Sequence, residues 1–358
     1  MHLGIDIREA CSDKRTGKGQ WTLGFLRELL SREHELTLFT NTDPPEHVRL
    51  LFTNDERFHL VKICARGLSW HCTVARILLE QPHIDAYIST TSYIVPFLLG
   101  RRKKVVPIIH DLIAFRSEPH ERKASLIERC TLGRTVATAE FLCTVSDATK
   151  HDLLTRYSTL KPSRIATIFA GPTSEPTLRH PDQPSMILSI GTLSPRKNQR
   201  RLIQAFASLP MDLRDGTSLV LVGKRGWKDN SVIRLIRKTP GVLWKQYLSD
   251  TDCLDLLSRA TIYAFPSLYE GFGLSVLDAM QSGIVVLTSA RGSLQELVGD
   301  AALLIDPEDV SSIEKGLQVL LSDNALRAAL SDKAKARASL FTWKRTVDLF
   351  LARMETVV

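Results

Sequence analysis

Two carboxylates stand eight positions apart in YEGFGLSVLDA, residues 269–279: Glu270 directly before a turn holding Gly271 and Gly273, and Asp278 within an apolar run. A strand-like run, TIYAFPS, leads into Glu270, the glycines permit a tight turn, and a helix is predicted from Leu274. Free N–H groups at such a helix start attract anions and hydroxyl oxygens. At about 3.6 residues per turn, Asp278 comes round to the same side as that start. Both oxygens of a carboxylate accept hydrogen bonds, so Glu270 and Asp278 can hold two hydroxyl-rich parts of one extended ligand. A Glu ahead of a glycine-rich helix start also serves as a plain cap, and that alternative stays open at this point.

A second cluster is basic. In SIGTLSPRKNQRRLIQAF, 189–206, a predicted strand ends at Gly191 and Arg196 and Lys197 arrive at the head of a helix carrying Leu202, Ile203 and Phe206. Cations at the positive end of a helix dipole are unfavourable unless an anion joins them, and phosphate is the natural partner. Arg200 and Arg201 are expected to face solvent. A third stretch, TGKGQWTLG at 16–24, has Gly17, Gly19 and Gly24 at the wrong spacing for a dinucleotide fingerprint, and a Walker loop is absent. Trp21, Phe25, Leu26, Leu29 and Leu30 then share one helical face, so a helix start is predicted beside a glycine loop. Such a place binds an anion or admits a substrate closely; an ordinary glycine turn is the alternative.

Positioning these groups takes two domains, since 358 residues exceed one ordinary core. Short β-branched runs alternate with amphipathic segments, the pattern of parallel sheets with crossover helices. Strands are predicted at 36–40, 58–63, 84–89, 105–110, 140–146 and 164–170, then at 186–191, 218–223, 241–248, 261–266, 284–289 and 302–306. Pro107 fits a central strand poorly because it lacks a ladder donor. The expected organisation is an α/β protein with a first doubly wound domain over 1–170, a proline-rich linker over 171–185 and a second domain over 186–341. Trp343, Val347, Phe350 and Leu351 fall at helical spacing in 342–358, which is expected to pack back on the first domain. Two such domains would leave a cleft at the carboxyl ends of their strands, where open α/β sheets bind ligands.

Composition narrows the partners. The net charge is +8, but residues 1–184 and 185–358 carry +4 each, which disfavours a nucleic-acid-binding tail. The densest basic run, RRKK at 101–104, reads as a solvated loop, with contact to anionic lipid headgroups as the alternative. No apolar stretch is long enough to span a bilayer, and the amino terminus lacks the apolar core of an export signal, so a cytoplasmic protein is expected. Six scattered cysteines form no zinc-ligand pattern, and neither a metal nor a cofactor is expected.

The stretch 267–310, with its E-x7-acid spacing, closely resembles the signature of the GT-B retaining glycosyltransferases (glycosyltransferase group 1, family four). GTLSPRKN, TGKGQW, IIHDLIAF at 108–115 and TVSDATKHDL at 144–153 extend the likeness over most of the chain. The resemblance implies two Rossmann-like domains, the first (1–170) on the acceptor side and the second (186–341) binding a nucleotide diphosphate sugar as donor. By it, Arg196 and Lys197 match the cationic pair on the donor pyrophosphate. Glu270 matches the first Glu, near the donor sugar's hydroxyls, and the amides of Gly271, Phe272, Gly273 and Leu274 match those holding sugar and phosphate. Asp278 stands where a Glu usually grips the ribose, one methylene shorter. His110 matches a histidine contacting the donor sugar, Gly17 and Gly19 the amino-terminal glycine loop, and Tyr247 and Leu248 the region cradling the base. Ser275 replaces a common Pro and Trp21 a common Tyr.

The implied reaction breaks a glycosyl phosphate bond, and stabilising charge on the leaving diphosphate is the catalytic task. Retention is implied, with the donor phosphate taking the acceptor's proton and Glu270 positioning rather than attacking. The expected acceptor is a glycan or lipid-linked hydroxyl in cell-surface polysaccharide or lipopolysaccharide synthesis, and the expected donor GDP-mannose. A UDP or other nucleotide sugar, a nucleotide-sugar epimerase, a phosphorylase and a non-catalytic binding subunit are the alternatives.

Overall fold

The computed structural model describes residues 1–53, 55–116, 122–180, 185–226, 229–246 and 248–357. The chain divides into two compact units, the first formed by Met1–Arg116, Arg122–Thr173 and the segment from Phe341 onward, the second by Ser174–Leu340. Each holds one parallel sheet.

In the first unit the strands are β1 (His2–Asp6), β2 (Glu35–Thr40), β3 (Phe58–Lys62), β4 (Ala86–Ser89), β5 (Lys104–Ile109), β6 (Leu142–Thr144) and β7 (Ile165–Thr167). Their order is β3-β2-β1-β4-β5-β6-β7. In the second they are β8 (Ser185–Ile190), β9 (Thr217–Val222), β10 (Val242–Lys245), β11 (Ile262–Phe265), β12 (Val285–Ser289) and β13 (Leu303–Ile305), ordered β10-β9-β8-β11-β12-β13. Each sheet reverses its winding once, between β1 and β4 and between β8 and β11. Loops leaving the carboxyl ends of strands diverge at such switch points, and ligands bind there.

The cores follow from the apolar runs. Trp70, Leu78, Tyr87, Ile109 and Leu132 are buried in the first unit, and Phe206, Leu219, Ile262, Leu287 and Leu317 in the second. Each such side chain contributes about 1.5–3 kcal/mol through removal from water.

The central strand β1 is absent from the sequence-based strand assignment. HLGID is short, and its Gly and Asp are poor strand formers. Gly4 sits in close packing, since a Cβ there would lie 3.1 Å from the Phe39 ring and 3.3 Å from Leu78. Pro107 does lie inside β5. It pairs with Ser89 of β4, and the β6 ladder starts only at Ile108, so the missing donor interrupts neither partner. Residues 174–180, read as linker, belong to the second unit. Thr177 N donates to Ser282 Oγ (3.2 Å), His180 N to the Ser258 carbonyl (2.9 Å) and Arg179 Nη2 to the Ala260 carbonyl (2.6 Å). A proline-rich strip lacks the donors for a ladder of its own and is fastened by these scattered bonds instead. Residues 181–184 of the expected linker lie outside the described residues.

The carboxy-terminal helix Trp343–Glu355 belongs to the first unit. Phe350 meets Phe25 edge-on at 5.2 Å and Trp343 meets Trp21 at 5.9 Å, both on the helix Gly17–Leu30. Trp343 Nε1 donates to the Pro172 carbonyl at 2.7 Å. Among the described residues no helix is long and apolar enough to cross a membrane.

Candidate functional site

In the second unit the switch point gathers the basic pair and the first carboxylate. After β8 and Gly191 the chain makes a tight turn over Pro195–Lys197, and Asn198 then takes a left-handed conformation (φ 60°) before the helix Gln199–Ala207. The two cations thus sit on a turn ahead of the helix rather than inside it. Glu270 follows β11. Its Oε2 lies 2.6 Å from Arg196 Nη1 and its Oε1 2.7 Å from Lys197 Nζ. Ser267 Oγ donates to Oε1 at 2.5 Å. Burial pushes the Glu270 carboxyl up, but Arg196, Lys197 and the Ser267 bond outweigh it and hold the group below its ordinary value. Lys197 also lies 4.4 Å from the centre of the Phe265 ring, and a Cβ at Gly191 would touch its stem at 3.4 Å. The sequence reading assigned Glu270 and the cations to different parts of a ligand; the structure joins them into one ionised triad with a net single positive charge.

Gly273 caps the helix Leu274–Gln281 at φ 114°, a conformation that disfavours side chains, and a Cβ there would come within 2.9 Å of Leu294. Ser293 Oγ holds the Glu270 carbonyl at 2.7 Å. Asp278 is 7% exposed. Burial is the main cause that raises the pKa of the fully buried Tyr263 phenol of β11, and the charges of Asp278 and Glu270 add to it. Leu248 is half-buried immediately before the helix-capping Ser249. Tyr247 lies outside the described residues.

Sequence reasoning passed over Asn198. It is buried, and its Nδ2 donates to the Pro266 carbonyl (3.0 Å) and the Pro307 carbonyl (2.6 Å), tying the basic turn to the loops after β11 and β13. An Asn directly after a cationic pair and before a helix was the available signal, since Asn tolerates the left-handed region.

In the first unit, His110 follows β5 and its Nε2 donates to the Thr90 carbonyl at 2.7 Å. A carbonyl only accepts, so the neutral ring leaves Nδ1 as an acceptor. Burial, then the charge of Lys18, lowers the His110 pKa to about 4, and the ring is neutral at pH 7. Trp21 stands edge-on to it at 5.2 Å. Gly17 and Gly19, expected as a loop ahead of the helix, form its first turn, which follows Thr16 at the N-cap position. Gly19 is there because a Cβ would lie 2.6 Å from the Glu9 carbonyl oxygen. In the 101–104 run, Lys103 Nζ donates to the Gln81 carbonyl (3.0 Å) and Lys104 Nζ to the Val357 carbonyl (2.8 Å), so much of that charge is engaged within the fold.

A family model for glycosyl transferases group 1 matches residues 172–337. The O-antigen chain mannosyltransferase B of Escherichia coli is 33% identical over 264 residues, covering 69% of this chain and 69% of that one. The chain belongs to the group 1 glycosyltransferases. This glycosyltransferase is also 24% identical to the serotype-specific mannosyltransferase WbdA of Escherichia coli, over 98% of its own length but 47% of that protein's. Sucrose-phosphate synthase from Thermosynechococcus elongatus superposes with a TM-score of 0.79 at 16% identity, covering 99% of this chain and 98% of that one. The glycosyltransferase has the GT-B type of fold, with one parallel sheet in each unit.

Proposed function

We propose that this glycosyltransferase moves a mannosyl group from GDP-mannose, with retention of configuration, to a hydroxyl of a glycan or lipid-linked saccharide in cell-surface polysaccharide assembly. The observation that carries the reading is the Arg196–Lys197–Glu270 triad beside the Gly273-capped helix start. A sugar nucleotide brings two phosphates and a polyol. Arg196, Lys197 and the amides at 271–274 offer charge and donors to the diphosphate, and these interactions strengthen as negative charge builds on the leaving oxygen. The two protein cations supply the charge stabilisation, and the reaction proceeds without a metal or an organic cofactor. Asp278 takes the ribose hydroxyls, and His110 Nδ1 accepts from a hydroxyl of the donor sugar; both roles rest on the family resemblance.

Glu270 is a positioning group. Both of its oxygens are held by cations, and a carboxylate with a depressed pKa is a weak base and a poor nucleophile. A mannose donor is supported by the two mannosyltransferase relatives. A lipid-linked acceptor would bring the protein to a membrane surface, where Arg101 and Arg102 are exposed. The test is incubation with GDP-mannose, UDP-glucose and UDP-galactose and a panel of methyl glycosides, with metal chelated. Transfer from GDP-mannose giving an α-linked product is expected. Transfer only from a UDP sugar, inversion at the anomeric carbon, or a covalent glycosyl adduct trapped on Glu270 each refutes the corresponding part.

A further inference from the structure

The second unit holds Lys197 between two fastened points. On one side the Arg196 carbonyl accepts from Leu268 N at 2.8 Å. On the other, Asn198 is buried with its whole amide engaged. Nδ2 gives its two protons to the Pro266 carbonyl (3.0 Å) and the Pro307 carbonyl (2.6 Å), and Oδ1 accepts from Arg201 Nη1 at 3.0 Å. These partners fix which end of the amide is oxygen, since a guanidinium only donates and a carbonyl only accepts. Pro266 follows β11 directly, and Pro307 lies between Asp306 and Glu308, both paired with Arg291 at 3.1 and 2.7 Å. Asn198 is also the only non-glycine residue at positive φ among the described residues. Glycine would meet that backbone requirement without burying an amide, which costs free energy unless its polar atoms are bonded. The backbone alone therefore explains a glycine here, not an asparagine with both amide protons engaged. What the amide adds is position: it locks the loops after β8, β11 and β13 together at the residue next to Lys197, whose Nζ meets Glu270 at 2.7 Å.

We propose that Asn198 is a positioning residue for glycosyl transfer, its side-chain amide holding Lys197 and Arg196 where they meet the charge that develops on the leaving diphosphate. The assignment rests on the transferase reading above. Asn198 touches no substrate in it and acts through the two cations. A loosened turn keeps both charges, so the general attraction for a diphosphate survives. Stabilisation of the transition state depends on placement and is what is lost. The effect therefore falls on kcat and spares donor KM.

The experiment measures kcat and donor KM for wild type, Asn198→Gly, Lys197→Ala and the double variant. The donor is GDP-mannose and the acceptor whichever of methyl mannoside, methyl galactoside or methyl N-acetylglucosaminide wild type uses best. Glycine keeps the left-handed turn and deletes only the amide, so a purely backbone role would leave wild-type kinetics. In Asn198→Gly kcat is expected to fall at least about fivefold with donor KM within about threefold, as for a catalytic group shifted out of place. In the Lys197→Ala background the same change should cost at least about threefold less, because the main group it positions is gone. A smaller kcat loss, a larger shift in donor KM, or an undiminished loss in the Lys197→Ala background overturns the assignment. Should Asn198→Gly fail to fold by circular dichroism, Asn198→Asp, which keeps the shape and lacks the donors, is held to the same limits. If Lys197→Ala turns over near normally, or wild type transfers to none of these acceptors from any sugar nucleotide, the function reading itself has failed and the assignment falls with it.

Discussion

Lys197 reaches Glu270, the Phe265 ring and the edge of Gly191 from one side chain, so removing it tests the triad most directly. In the proposed reaction, Lys197→Ala removes one preorganised donor to the leaving diphosphate. By comparison with loss of an oxyanion donor it should raise the barrier by roughly 3 kcal/mol, about two orders of magnitude in kcat. Steady-state kinetics at saturating donor reads this; near-normal turnover would remove Lys197 from the chemistry. The variant also leaves buried Glu270 with Arg196 and the Ser267 hydroxyl but one cation fewer, so its depressed pKa should move back up. At this scale the sequence showed which residue types were present but not how they pair. RK and YEG lie over seventy positions apart, and only the juxtaposition of the loops after β8 and β11 reveals that Glu270 pairs with both cations and leaves the triad one net positive charge.

Elements were legible where physics is local. Twelve of the strands announce themselves through β-branched runs, and the carboxy-terminal helix through its apolar spacing. What stayed hidden depends on distant partners. β1 is a strand because both its neighbours pair with it along its length, and Gly24 is a glycine because Trp343 occupies the space its Cβ would fill, 2.1 Å from the indole Cε2. That second fact yields a prediction about helix docking. Gly24→Ala must displace the indole, and with it the Trp343–Glu355 helix, costing about 1–3 kcal/mol as overpacking does. Combining it with Trp343→Leu should cost less than the sum of the two single changes, because the smaller side chain vacates the collision. Strict additivity in denaturant-derived stabilities would show that the two helices do not meet at this point.

At the level of the whole molecule, the two units differ in what acid does to them. Four histidines of the first unit, His2, His34, His71 and His110, are pushed down chiefly by burial, His71 and His110 to about 4. An imidazole with a lowered folded pKa is bound by fewer protons than its unfolded form, so stability falls as pH drops below about 6.5 and the loss is complete near the folded value. For the two most buried rings this amounts to as much as about 3 kcal/mol each. Glu128, with its raised pKa, works in the opposite direction but as a single group. The second unit depends instead on Glu270, whose depressed pKa preserves its contribution until pH falls below the ordinary carboxylate range. Acidification from pH 7 to 5 should therefore loosen the first sheet before the second. Hydrogen-exchange mass spectrometry, corrected for intrinsic rates, should show protection lost first in β1, β4 and β5 while β8, β9 and β11 hold. His71→Gln should flatten that dependence without touching the donor residues. Parallel loss in both sheets would mean that the buried imidazoles do not govern acid stability.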